Sequence, residues 1–573
     1  MRLSPANSLA GILEPVFAIR TEDDLGVGDT AGVRQMVDWC HQHRISIFQM
    51  LPINEVGEDN SPYNALSSVA IEPTTLSLAP KDLPDLPPTA FERVVASAGL
   101  AALHGTNVNY PQVKALKHIL LEAAFASFSD QQMDRKTPRD LAFQAFRSEN
   151  AHWLLDYSLF RVLIEENGGS SNWERWPVEH RHRDTAQRWL QTVPKNKQQA
   201  ISGRRVYFEY VQWIAFLQWQ NLKSYSESQQ VYLMGDVPYG IGRSSCDVWA
   251  NPQIFDLDWS GGAPPEKVFK VDPFTEKWGQ NWGVPNYRWD YLRAHNFDWW
   301  RTRIGNIQKI FHLYRIDHVL GLFRIYSFPW TPDRNSVFLP LNESEAAVRT
   351  GGRLPAFRPF PDDTPEHRYT NQSQGEEILR VILEASGHST VIAEDLGVVP
   401  EYVHPTLQKL GIPGFRIPMF FRDYNGAYSD PAHYPRLSLA QPTTHDHPPL
   451  VAAWTEHWRN LDAGKDPASN WAELRRILRF AGLPDDPVSR EFTPEIQSGY
   501  IRAVMRSNSW LAVFQITDVF GMEARFNTPG SIAESNWSYR MPVTVAQLGA
   551  NPTYSTFAAD FTKLTVESGR AAS

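Results

Sequence analysis

Residues 311–318 read Phe-His-Leu-Tyr-Arg-Ile-Asp-His, a short run of large apolar residues that closes on an Arg, an Asp and a His. A run of this length bounded by polar residues predicts a strand. Side chains alternate faces along a strand, so Arg315 and Asp317 share one face and leave the strand end together. Seven further runs have the same form, at 13–19, 46–52, 231–237, 390–394, 414–419, 437–443 and 511–517. Helical patterns separate several of them. Val33, Met36, Val37 and Cys40 recur at i, i+3, i+4 and i+7, with Asp29 or Thr30 placed to cap the helix. Strands alternating with helices predict an α/β protein with a parallel sheet, and eight such strands predict a closed (β/α)8 TIM barrel forming one catalytic domain over 1–573.

The spacing between runs is uneven. Nearly 180 residues separate the second from the third. They open on a proline-rich stretch at 80–88 and continue through helical patterns at 113–128, 141–166 and 206–225, so 76–200 is expected to be a mostly helical insertion. Two further insertions, 240–303 and 326–386, follow the third and fourth runs. All three leave from the C-terminal ends of barrel strands, the face where barrel enzymes build their sites, so the two later ones are expected to line a cleft.

Composition narrows the class. A formal charge of -9 over 573 residues argues against a nucleic-acid partner. No run of about 18 apolar residues occurs, so no membrane partner is expected. Glu14 and Pro15 break the one apolar stretch near the start, which makes it a poor signal peptide. Cys40 and Cys246 cannot build a disulfide framework, and free thiols suit a cytoplasmic location. Most of the aromatic rings are core material. Trp282, near Tyr287 and Trp289, is the patch that would suit a sugar, whose apolar CH face stacks on rings while its hydroxyls bond to carboxylates.

Three strand ends carry acids. In 314–318 an Arg beside Asp317 would keep that carboxylate ionised, as a nucleophile needs; a purely structural ion pair has the same spacing. In Val391-Ile392-Ala393-Glu394-Asp395 an apolar strand runs into two acids that must face different ways. In Thr443-Thr444-His445-Asp446-His447-Pro448-Pro449 a His–Asp pair could bind sugar hydroxyls; a proline-held polar loop or a His-x-His metal site are the alternatives. A fourth acid, Asp236, closes the run 231–237 and is expected to hydrogen-bond within the site. Glycoside cleavage needs one ionised carboxylate, one with a raised pKa, and groups that favour the distorted sugar. The sequence contains no Gly-Lys-Ser/Thr phosphate loop and no Gly-x-Ser-x-Gly elbow.

Taken in order, Leu25-Gly26-Val27-Gly28-Asp29, Ser61-Pro62-Tyr63, Asp247-Val248-Trp249, Gly279-Gln280-Asn281-Trp282-Gly283, the three acidic segments, the segment 524–530 and Asn536-Trp537 resemble the 4-α-glucanotransferase family (amylomaltase, or disproportionating enzyme; glycoside hydrolase family 77). The resemblance implies Asp317 as nucleophile, Glu394 as acid/base and Asp446 as transition-state stabiliser. It implies sugar-binding roles for Tyr63, Asp236, Arg315, Asp395 and His445, an aromatic on a loop over the cleft for Trp282, and a sugar contact for Asn527. It implies no cofactor and no metal, with a maltooligosaccharide or α-glucan donor and a sugar acceptor as partners. Segments 16–24 and 319–324 are locally similar to the plant cytosolic type, without its N-terminal starch-binding modules, and Ala70-Ile71-Glu72-Pro73 departs from the usual Asn-Pro. A hydrolase using the same carboxylates and a silent glycan-binding protein are the rival expectations.

Overall fold

A computed structural model describes residues 3–57, 59–265, 272–529 and 535–572. Met1 and Arg2 of the N-terminal stretch, 266–271 of the second insertion and Gly530 of the 524–530 segment lie outside them. Among the described residues twelve strands follow in chain order: β1 Leu9–Leu13, β2 Ile47–Gln49, β3 Tyr232–Val237, β4 Phe255–Ala263, β5 Gln280–Tyr287, β6 Leu313–Ile316, β7 Ile325–Phe328, β8 Ala356–Arg358, β9 Thr390–Ala393, β10 Gly414–Arg416, β11 Ser438–Ala440 and β12 Leu511–Gln515. Eight of them close a parallel barrel in the order β1-β12-β11-β10-β9-β6-β3-β2. Seven of the eight lie within the predicted runs.

The first strand is the exception. The run 13–19 was expected to form it, but the strand is Leu9–Leu13, and Val16–Ala18 form a 3-10 turn after Pro15. Proline offers no N–H to a sheet ladder, so the strand ends before it. Gly11 hid the true strand, because glycine weakens a strand pattern. It is required there: a Cβ at Gly11 would sit 2.8 Å from the Ile47 Cβ of the paired strand.

Alternation along each strand sorts side chains into two layers. Leu13, Ile47, Met234, Leu313, Ile392, Phe415, Leu439 and Val513 point inward and fill the barrel. Burial of each contributes about 1.5–3 kcal/mol. Tyr314 and Ile316 point outward against the helices, so Arg315 lies on the inner side with Leu313. The helix Thr30–Gln42 packs Val33, Met36, Val37 and Cys40 as its spacing predicts, and Asp29 is its cap, accepting from Ala31 N and Gly32 N at 3.0 and 3.1 Å.

Between β2 and β3 lie the helices Tyr110–Gln131, Pro138–Glu149, Ala151–Glu166 and the 34-residue Lys195–Ser228. Ion pairs tie two of them to the chain flanking β2: Lys117 meets Asp29 at 3.8 Å and Arg161 meets Glu55 at 3.2 Å. The segments after β3 and β6 hold a four-stranded antiparallel sheet, β5-β4-β7-β8, which the sequence did not announce. Register shifts along β4 and Pro285 within β5 break the period-two signal that would have marked these strands. Among the described residues no helix is long and apolar enough to cross a membrane, and Cys40 and Cys246 are buried free thiols.

Candidate active site

β3 and β6 pair in parallel with Asp236 opposite Arg315, which puts an acid and a base side by side at the barrel mouth. Arg315 Nη1 lies 2.6 Å from Asp236 Oδ2, and Nη2 lies 2.8 Å from Asp317 Oδ1 and 3.9 Å from Glu394 Oε2. One buried guanidinium therefore serves three carboxylates from three strand ends, and they hold its pKa well above the ordinary value despite its burial. Tyr63, from the chain after β2, donates its hydroxyl to Asp236 Oδ2 at 2.7 Å. Burial pushes the Asp236 pKa up, against the pull of Arg315.

Asp317 and Glu394 differ in setting. The Asp317 side chain is 27% exposed, that of Glu394 only 11%. Burial raises the Glu394 pKa to about 8; Arg315 opposes the shift and Asp317 adds to it. A carboxyl of this kind carries a proton at neutral pH, as a general acid must. Its orientation is fixed by two backbone amides: His318 N–H donates to Oε2 at 2.8 Å and Leu396 N–H to Oε1 at 3.1 Å. His318 reaches that position with φ of +41°, a left-handed conformation that is strained for a residue with a Cβ. The sequence placed His318 beside Asp317 without assigning it this contact, and a backbone angle leaves no signal in a histidine.

Asp395 faces the other way, as adjacency to Glu394 requires. Its Oδ1 accepts Phe415 N–H at 2.6 Å, and Arg416 and His404 lie 3.4 and 3.1 Å from its Oδ2. A Cβ at Gly414 would fall 2.2 Å from that oxygen, so glycine is needed for the approach. The structure thus gives the Asp395 carboxylate to β10 and the helix Val403–Leu410 before it, and does not bring it into the Arg315 cluster.

The third acid sits in the chain after β11. Asp446 Oδ2 is 3.2 Å from His445 Nε2, and Oδ1 accepts from Asn527 Nδ2 at 2.6 Å. Burial works to raise its pKa, but His445 and Asn527 overcome it and hold the carboxyl below the usual carboxylate range. The His445 ring stacks on Tyr63, centroids 5.3 Å apart and planes 11° from parallel, with Trp537 tilted against both. Tyr63 thereby links the Arg315 cluster to the Asp446 pair. His447 turns aside to Thr444 Oγ1 at 2.7 Å. Burial lowers its pKa to about 4, so it is neutral at pH 7. No group of three His, Cys, Asp or Glu side chains converges as a metal set among the described residues.

Trp282 lies on β5 of the small sheet rather than on a loop, 38% exposed. Its ring and that of His318 meet edge to face, centroids 4.8 Å apart. An exposed indole thus stands one residue from Asp317, where it offers a sugar a stacking face.

Comparison with known proteins gives the chain's family. The family model described as 4-alpha-glucanotransferase matches residues 14–545. A 4-alpha-glucanotransferase of Chlamydia caviae is 31% identical over 97% of this chain and 94% of that protein. A 4-alpha-glucanotransferase of Oryza sativa subsp. japonica is 25% identical over 94% of this chain and 67% of that one. The solved amylomaltase of Streptococcus agalactiae, in complex with acarbose, superposes with a TM-score of 0.73 at 22% identity, covering 98% of this chain and all of that one.

Proposed function

The chain belongs to the 4-alpha-glucanotransferase family and moves glucosyl or maltooligosyl units between α-1,4-glucans, and we propose that it does so by double displacement on Asp317 and Glu394. The observation that carries the mechanism is the pair of distances from one nitrogen, Arg315 Nη2, to Asp317 at 2.8 Å and Glu394 at 3.9 Å. Two carboxyl groups that share a single guanidinium suit the short separation of retaining enzymes, about 5–5.5 Å, in which the second carboxylate attacks the sugar itself rather than through a water.

In the first step Glu394 gives its proton to the glycosidic oxygen while Asp317 Oδ attacks the anomeric carbon. The leaving chain departs with a new 4-hydroxyl and a β-glycosyl ester forms on Asp317. In the second step the ionised Glu394 takes the proton of an acceptor 4-hydroxyl, whose oxygen displaces Asp317 and restores an α-1,4 bond. Asp446, ionised and held by His445 and Asn527, stabilises the positive charge that develops on the sugar. Asp236, Tyr63, Arg315 and His445 position the donor ring, and Trp282 stacks on a sugar across the cleft. Asp395 acts through β10. One α-1,4 bond is exchanged for another, so the chemistry calls for no cofactor.

The segments 240–303 and 326–386 wall the cleft and the segment 76–200 buttresses it, favouring a sugar over water as acceptor. Buried free thiols at Cys40 and Cys246 fit a reducing cytoplasm. Incubation with maltotriose tests the function: glucose together with a ladder of longer maltooligosaccharides is the expected result. Products that are all shorter than the substrate would make the protein a hydrolase instead.

A further inference from the structure

The chain that carries His445 and Asp446 leaves β11 at Ala440 and enters the helix Leu450–Asp462. Both ends of its polar stretch meet one carboxylate. Asp518, in the helical turn Ile516–Val519 after β12, accepts the Thr443 hydroxyl at Oδ2 (2.5 Å) and Leu450 N–H at Oδ1 (2.7 Å). Pro449 at the head of that helix gives its first amides no side-chain cap, so Asp518 supplies the acceptor from the neighbouring strand end. Gln515, the last residue of β12, donates to Thr443 Oγ1 and to the Thr444 carbonyl, the latter at 2.8 Å. Asp518 is itself held: Gln497 Nε2 donates to the Asp518 and Val519 carbonyls at 2.8 Å each. It is 2% exposed.

The same post-β12 segment grips the tip of the stretch as well as its ends. Arg525 Nη2 donates to the Asp446 carbonyl at 2.9 Å, and Asn527 Nδ2 to its carboxylate at 2.6 Å. We propose that Asp518 is a positioning residue for the reaction: by tying Thr443 to Leu450 it sets where Asp446 and His445 stand against the sugar. This rests on the role given to Asp446 above. A shift at either end of the stretch moves the Asp446 carboxylate off its partners, and a misplacement of 1 Å costs on the order of 100-fold in rate.

Three variants test it. Asp518→Asn keeps an acceptor for Leu450 N–H but cannot accept the Thr443 hydroxyl; Thr443→Val removes that hydroxyl at nearly constant shape. Each is expected to lower kcat for maltotriose disproportionation about 10-fold with KM within about 3-fold. The double variant is expected to fall no further than Thr443→Val alone, which already breaks the Thr443–Asp518 bond together with the one from Gln515. Rates are taken well below the thermal midpoint, with circular dichroism confirming the fold. Unchanged kcat in Asp518→Asn, or losses that multiply in the double variant, overturns the proposal. Asp446→Asn is measured alongside. Full turnover there would refute the site assignment itself, whereas loss there with none in Asp518→Asn would refute the positioning role alone.

Discussion

Replacing Arg315 by methionine removes the charge at the centre of the site while keeping an unbranched stem. The Asp236 side chain is fully buried and would be left with the Tyr63 hydroxyl as its donor. Breaking a buried pair by deleting one partner costs about 3–5 kcal/mol, because the remaining charge is uncompensated. Asp236 can escape that cost by taking up a proton. Its pKa in the fold is already raised above the ordinary 3.8, and loss of Arg315 raises it further. The folded state then binds more protons than the unfolded chain, so stability falls as pH rises above the unfolded pKa and keeps falling until the folded pKa is passed. One extra bound proton is worth about 1.4 kcal/mol per pH unit, so the variant should recover part of its deficit, at most about 3 kcal/mol, as pH falls from 7.5 to 5.5. Urea titration of both proteins at the two pH values measures this. Activity should stay low at both, because Asp317 has lost the guanidinium that orients it. A deficit equal at the two pH values, or wild-type kcat, would show that Arg315 is not the counter-charge of this cluster.

Other outcomes follow from the same geometry. Glu394 must be protonated to act as acid, so kcat/KM should fall as pH rises through about 8, and a profile flat to pH 10 would contradict the assignment. Asp317→Asn should cut turnover more than about 100-fold while leaving maltooligosaccharide affinity within a few-fold, as read by single-turnover rates and calorimetric titration. Glu14, buried behind β1 and raised to about 8 by that burial, binds its proton more tightly folded than unfolded. It therefore costs the protein about 3–5 kcal/mol as pH climbs from 4.5 past 8. Glu14→Gln should flatten that part of the stability–pH curve, and an unchanged slope would place Glu14 outside the linkage.

Much of this was legible in the chain. Arg315 and Asp317 two residues apart predicted a shared face, and Asp236 in the adjacent run supplied the third member of the ion cluster. Glu394 followed by Asp395 left the acid ambiguous; burial and two backbone donors now distinguish Glu394, while Phe415, Arg416 and His404 claim Asp395. What escaped is what depends on partners distant in sequence. The β5-β4-β7-β8 sheet has no clean alternation, the first strand was hidden by Gly11, and the left-handed turn at His318 exists because Glu394, 76 residues on, accepts its amide. Asp518 follows a predicted strand as Asp317 and Asp446 do, and only its bonds to Thr443 and Leu450 tell it apart from a surface acid.

The central claim is a glycosyl ester on Asp317. Treating the Glu394→Gln variant with a glucosyl fluoride, whose leaving group needs no acid, should accumulate that ester, because its turnover needs the missing base. Peptide mass spectrometry of the quenched protein should find one added glucosyl unit on the peptide that contains Asp317. A glucosyl unit on any other peptide instead, or turnover of the fluoride with no covalent adduct at any time, would contradict the account.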